Sequence, residues 1–183
     1  MTATALDAKT ALVLVDLQKG IVGLPLAHPA ADVVERAAFL AAAFRERGLP
    51  VVLVRVTGGA PGRNEQPPAQ GTPPADWVEL VPELDRQDSD IVVTKQTWGA
   101  FYGTDLDMQL RRRGVTQVVV GGIATSIGVE ATARSAQEHG YHVTVATDAI
   151  TDLKAETHAN SVAHIFPRLG ETDTADAIVK LLG

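Results

Sequence analysis

The chain has no cysteine among its 183 residues. Disulfides, thiolate metal sites and a cysteine nucleophile are therefore excluded, and cysteine pairing gives no sign of the redox compartment. Long apolar runs are also missing. None approaches the roughly 20 residues that span a bilayer, and the opening "MTATALDAKT" has no basic stretch followed by an apolar one. A cytoplasmic protein without a membrane partner is expected. Positive charge is scarce, with 16 Lys and Arg against 22 Asp and Glu and a formal net charge of -6. With no basic stripe to meet a phosphate backbone, nucleic acid is not an expected partner. The one basic cluster, Arg111 to Arg113, closes a helical pattern before Gly114, where cations favour the helix dipole. Aromatic residues are only 4% of the chain, so each one near a candidate site is followed individually below.

What is present is an alternation of short β-branched runs with helical patterns. The runs are "ALVLVD" (11–16), "VVLVRV" (51–56), "IVVTK" (91–95), "QVVVG" (117–121), "HVTVAT" (142–147) and a weak last one near Glu171 to Asp173. Continuous apolar runs of this length suit parallel strands buried on both faces. Between them, "HPAADVVERAAFLAAAFRERG" has helical spacing with Pro29 near its start and Gly48 past its end. "TDLDMQLRRRG" offers Thr104 as an N-cap and Gly114 as a stop, and "TSIGVEATARSAQEHG" ends at Gly140. A further helix is expected before Pro167. The alternation predicts a three-layer α/β/α fold with a doubly wound parallel sheet of about six strands, in a single domain over residues 1–183. The exception is Thr57 to Asp76, rich in Gly and Pro and without hydrophobic period. A loop of that length inside a compact domain is usually functional or disordered, and this one can fold over the carboxyl ends of the strands.

Open parallel sheets bind ligands at those carboxyl ends. The first strand ends at Asp16 and the third at Lys95, while the fourth runs into the turn "GIATSIGVEATARSA" (122–136). An acid that finishes an apolar strand is partly desolvated, and a lysine at a neighbouring strand end is a natural partner. Each also has a plain structural reading, the Asp as a helix cap and the Lys as a side chain reaching solvent. "GGIATSIG" has neither the G-x-G-x-x-G spacing of a dinucleotide site nor a P-loop ending, and no G-x-S-x-G elbow occurs.

Through "ALVLVDLQKG" and "VTKQTWGAFYGTDLDMQLRRRGVTQVVVGGIATSIGVEATARSAQEHGYHVTVATDAITD", the chain resembles the isochorismatase-like hydrolase superfamily. That resemblance covers nearly the whole chain from about Lys9, and it implies a Rossmann-like fold and a hydrolytic site. In amidase-type relatives an Asp, a Lys and a Cys act together. The resemblance puts the Asp on Asp16, the Lys on Lys95 and the Cys on Gly128, so the thioester route of those relatives is closed here. Isochorismatases also have Gly at this position and need only an acid, but they carry a His where this chain has Ser126. The metal-site histidines of nicotinamidases are missing from "RVTGGAPGRNEQ", and His158 and His164 fall on different helix faces. No metal and no cofactor are expected. The resemblance further implies a cis bond at Ile123–Ala124 in an oxyanion-holding turn, and a homodimer or higher homo-oligomer.

Around Asp16 and Lys95, the residues Trp98, Phe101 and Trp77 are candidate substrate-pocket walls, with simple packing as the other reading and the preferred one for Phe101. Arg63 is a candidate for binding a substrate carboxylate, or else a solvated loop arginine. Thr125 and Ser126 read as N-caps. Gly128 either leaves room for substrate or supplies a positive φ. The leading expectation is a cofactor-free hydrolase of a small-molecule vinyl ether or related C–O or C–N bond, using Asp16 as acid or base. The alternative is a catalytically retired member that binds a small molecule or serves as an oligomeric scaffold.

Overall fold

A computed structural model describes residues 2–65 and 72–183. Six parallel strands form one sheet in the order β3-β2-β1-β4-β5-β6. They are β1 (Thr10–Val15), β2 (Val51–Val56), β3 (Ile91–Lys95), β4 (Gln117–Ile123), β5 (His142–Thr151) and β6 (Glu171–Asp173). The short helical turn α1 (Lys19–Val22) and the long α2 (Ala30–Glu46) follow β1. α3 (Leu106–Arg112) precedes β4 and α4 (Glu130–Glu138) follows it. α5 (Ala155–Asn160), α6 (Phe166–Leu169) and α7 (Ala175–Leu181) complete the chain.

The period-2 alternation of a strand divides the core in two. Ala11, Val13 and Val15 of β1 face one layer with Leu106 and Leu110 of α3, Ala133 and Ala136 of α4, and Phe166 of α6. Leu12 and Leu14 face the other, with Leu40 and Phe44 of α2 and Ile178 of α7. All six β1 residues are buried, as expected of a central strand covered on both faces. Each fully buried Leu or Phe contributes roughly 1.5–3 kcal/mol, so these two layers supply the drive for the whole sandwich.

Strand order reverses between β1 and β4, whose chains leave in opposite directions, and this opens a crevice at their carboxyl ends. The backbone there is closely packed. Val15 pairs with Gly122, which has φ 117°, and a Cβ on Gly122 would lie within 2.0 Å of the Val15 carbonyl oxygen. Only glycine lets β4 pass β1 at this point.

Two expectations need correction. The helical region after β5 does not stop before Pro167. α5 continues through a π-helical turn, Ser161–Ile165, into α6, and Pro167 lies in the first turn of α6. Neither Thr125 nor Ser126 caps the helix after β4. The cap position is Ala124, without a side-chain bond, and the first turn, Thr125–Val129, is π-helical. Thr104 does accept from the Leu106 N–H at 3.2 Å, one residue before the cap position.

Candidate active site

Asp16 is the first residue beyond β1. Its N–H still donates to the Val54 carbonyl of β2 at 2.9 Å, and its φ of 54° then turns the chain out of the sheet. Asp tolerates this left-handed backbone better than most residues. Gln18, fully buried, fixes the exit: its amide oxygen accepts from Val56 N at 2.8 Å, and its Nε2 donates to Val56 O and to Trp77 O.

Lys95 ends β3, with β2 standing between it and β1. Strands two apart lie roughly 10 Å from one another, so only a long side chain can cross. The Lys95 ammonium does cross, donating to Asp16 Oδ2 at 2.7 Å and to the Thr97 carbonyl at 3.0 Å. Both residues are buried, Lys95 to 2% exposure and Asp16 to 6%. Burial pushes the Asp16 carboxyl up from its ordinary 3.8 to about 6, while the charge and hydrogen bond of Lys95 hold it down. Among the described residues, Asp16 Oδ1 has no hydrogen-bond partner. A buried carboxylate oxygen left in this state is an acceptor, or once protonated a donor, reserved for something outside the fold.

The third component is the turn after β4. The Ile123–Ala124 bond is cis, as the resemblance implied. Gly128 is buried against Asp16. A Cβ there would lie 3.0 Å from Val15 Cγ1, 3.3 Å from Asp16 Oδ2 and 3.5 Å from the Ile123 carbonyl oxygen. Its φ is not positive, so of the two readings of this glycine the positive-φ one does not hold, and what a side chain would meet is a tight fit beside Val15 and Asp16.

A cavity of about 200 Å³ joins these elements, lined by Asp16, Lys95, Gly128, Ile123 and Ala124 together with Trp98, Ile127 and the loop glycines Gly58 and Gly59. Of the loop after β2, only its first residues, Gly58 and Gly59, line the cavity among the described residues, and residues 66–71 of that loop lie outside them. Hollows of about 410 and 510 Å³ lie at the opposite ends of the strands, around Pro50 and Ile91 and around Gln117 and His142. They are larger, but neither contains a buried ionisable pair with a free oxygen, so the smaller cavity is the candidate site.

Of the residues singled out from sequence, Asp16, Lys95, Gly128, Ile123, Ala124 and Trp98 converge here. Three others do not line the cavity. Phe101 is buried in the core, stacked on His139 with ring centroids 5.0 Å apart. Trp77 packs against Gly20, whose missing side chain makes room for the indole. Arg63 is exposed on the loop.

Sequence reasoning missed the groups that hold the turn. Asp152, 1% exposed just past β5, accepts from Ser126 N and from Leu153 N, each at 2.7 Å. Thr125 Oγ1 is hydrogen-bonded to His158 Nδ1 at 2.9 Å, and His158 packs edge-on against His28. Burial and then the neighbouring His28 lower the pKa of His158, which favours a neutral imidazole. Asp152 carried the same signal as Asp16, an acid closing an apolar strand, in "VATDAITD".

Comparison with known proteins agrees with this fold. The model of the isochorismatase domain matches residues 10–177. An uncharacterised isochorismatase family protein of Escherichia coli O157:H7, YecD, is 47% identical over 97% of this chain and 98% of its own length. Maleamate amidohydrolase of Pseudomonas putida is 30% identical over 94% of this chain and 87% of its own. The solved structure of an isochorismatase family protein from Burkholderia thailandensis superposes with a TM-score of 0.93 at 43% identity, covering 97% of each chain.

Proposed function

Because this chain belongs to the isochorismatase domain family of hydrolases, we propose that it is a cofactor-free small-molecule hydrolase working by proton transfer at Asp16, without a covalent intermediate. The observation that carries this reading is the Asp16 carboxyl itself. One oxygen is held by Lys95 at 2.7 Å, the other is buried without a partner among the described residues, and burial pushes the carboxyl up to about 6. A carboxyl poised near the working pH exchanges protons in either direction, and such catalysis contributes on the order of 10²–10⁴-fold.

For a vinyl ether, protonated Asp16 gives its proton to the terminal carbon of the C=C–O unit. Water adds to the resulting oxocarbenium carbon and returns a proton to Asp16, and the hemiketal collapses to an alcohol and a ketone, with one water consumed. For an amide, the Asp16 carboxylate takes a proton from water as the oxygen attacks the carbonyl carbon. It then delivers that proton to the departing nitrogen, leaving an acid and an amine. In both cases Lys95 fixes Oδ2 and balances the charge, so Oδ1 is the oxygen that reacts.

A second reading has one observation behind it. The chain has no cysteine, and Gly128, which by resemblance occupies the nucleophile position of amidase-type relatives, is without a side chain. On this reading the chain is a binding protein that has lost its chemistry. Turnover assays across vinyl ethers, simple amides and small esters separate the two. Hydrolysis that disappears in Asp16→Asn supports the enzyme, whereas ligands that raise the melting temperature without being consumed support the binding protein.

A further inference from the structure

We infer that the cavity beside Asp16 admits a compact, uncharged molecule with an apolar body and rejects carboxylates. This selectivity rests on the reading of the cavity as the hydrolytic site. Away from Asp16 and Lys95 the wall is mostly apolar, with Ile21, Leu24, Val56, Trp98, Ile127 and Leu153, and the hydroxyl of the polar Thr97 is engaged by the Gly99 carbonyl. Of these, Leu24, Trp98 and Leu153 are 41%, 68% and 43% exposed, so the mouth as well as the depth of the cavity is apolar.

The charge balance points the same way. Among the described residues, Asp16 and Lys95 are the only charged side chains lining the cavity, and Lys95 is already committed to Asp16 Oδ2 and the Thr97 carbonyl. Arg63 does not line it, and Lys19 is engaged outside it by Asp76 and Glu79. The segment 66–71 reads Gln-Pro-Pro-Ala-Gln-Gly and holds no charged side chain. An entering carboxylate would surrender its hydration to an apolar wall, meet no free cation, and face the Asp16 carboxylate. An uncharged amide or ether asks for little beyond the free Asp16 oxygen. Size agrees, since a cavity of roughly 150 Å³ suffices for a benzene-sized body and this one measures about 200 Å³.

The test uses pairs that differ by one charge: (Z)-but-2-enamide against maleamate, in which a carboxylate replaces the methyl group, and benzamide against phthalamate. Binding to the full chain is followed by calorimetry and by Trp fluorescence at about pH 8, where Asp16 is ionised. Each neutral member should bind at least about 10-fold more tightly than its carboxylate partner, and Leu24→Arg, at the exposed mouth, should reverse the preference. Equal or tighter binding of the carboxylates by the native chain overturns the inference, as does failure of both neutral amides to bind. Hydrolysis is scored separately. Neutral preference with no turnover of these amides, nor of neutral vinyl ethers and small esters, sinks the hydrolase reading and leaves the selectivity standing, whereas turnover of carboxylates at equal efficiency does the reverse.

Discussion

The Lys95 ammonium lies 2.7 Å from Asp16 Oδ2 although the two residues end strands with β2 between them. The contact is a consequence of register. Val56, at the end of β2, pairs with Lys95, while Asp16 N bonds to Val54, so the lysine passes across the end of β2 to reach the acid. Two opposed charges buried this deeply are worth little as stability, because desolvation offsets most of their attraction. What the pair does provide is a carboxyl with one fixed oxygen and one free.

Asp16→Asn should reduce turnover by about 10²–10⁴-fold while the fold survives. Asn accepts the left-handed backbone at φ 54° and keeps an oxygen for Lys95. Asp16→Ala removes both advantages and strands a buried ammonium, at roughly 3–5 kcal/mol. Kinetics and urea unfolding of the two variants test this together. An Asn variant with full activity would take Asp16 out of the mechanism.

The raised carboxyl also sets a pH dependence. In the unfolded chain Asp16 titrates near 3.8 and in the folded chain near 6, so the folded state prefers the protonated form. That preference adds stability fully below the unfolded value and loses it as pH rises through about 6, in total on the order of 3 kcal/mol. The wild-type stability minus that of Asp16→Asn should therefore fall between about pH 4 and pH 7 and then level off. A difference that grows with pH would contradict the assignment. Turnover that falls over the same range identifies Asp16 as the acid, and turnover that rises identifies it as the base.

The strands were legible in sequence because parallel strands buried on both faces are written as unbroken β-branched runs. β2, β3 and β6 have the bounds those runs suggested. β5 runs on to Thr151 because a register shift against β4, with Val120 opposite Val145 but Gly122 opposite Ile150, inserts residues that no periodicity announces. Asp16 and Lys95 were visible as charges closing apolar runs. The caps assigned to Thr125 and Ser126 failed for a tertiary reason. Asp152, arriving from β5, takes the Ser126 N–H, and His158 takes the Thr125 hydroxyl, so neither side chain is needed by its own helix. Trp77 and Phe101 do not line the cavity, since Gly20 provides a seat for one and the α4 layer of the core holds the other.

Asp152 provides the next test. Its two carboxylate oxygens each satisfy a backbone N–H, those of Ser126 and Leu153. Asp152→Ala leaves both unpaired and should cost about 2–4 kcal/mol, and the shifted turn should lower kcat by about 10²-fold. Asp152→Asn retains one acceptor and should lie between the two. Since Asp152 does not line the cavity, its variants should leave the pH at which turnover changes where it was. A moved pH profile would mean that Asp152 acts on Asp16 directly.

Gly128 gives the sharpest test of where the centre lies. Its φ is ordinary, so Gly128→Ala incurs no left-handed strain and gains helix propensity, while its methyl must fit 3.0 Å from Val15 Cγ1 and 3.3 Å from Asp16 Oδ2. These effects oppose one another, and stability should change by less than about 1 kcal/mol. Ligand binding should be lost, because the methyl occupies the space beside the reacting carboxyl. Gly128→Cys extends one atom further, toward the Asp16–Lys95 pair. A thiol there meets the Asp16 carboxylate as well as the Lys95 ammonium, while the start of the helix favours the thiolate, and iodoacetamide should label it at neutral pH. Because the native chain has no cysteine, a single mass increment reports that reaction without ambiguity. A cysteine that stays inert while the protein remains folded would place Gly128 outside the active centre.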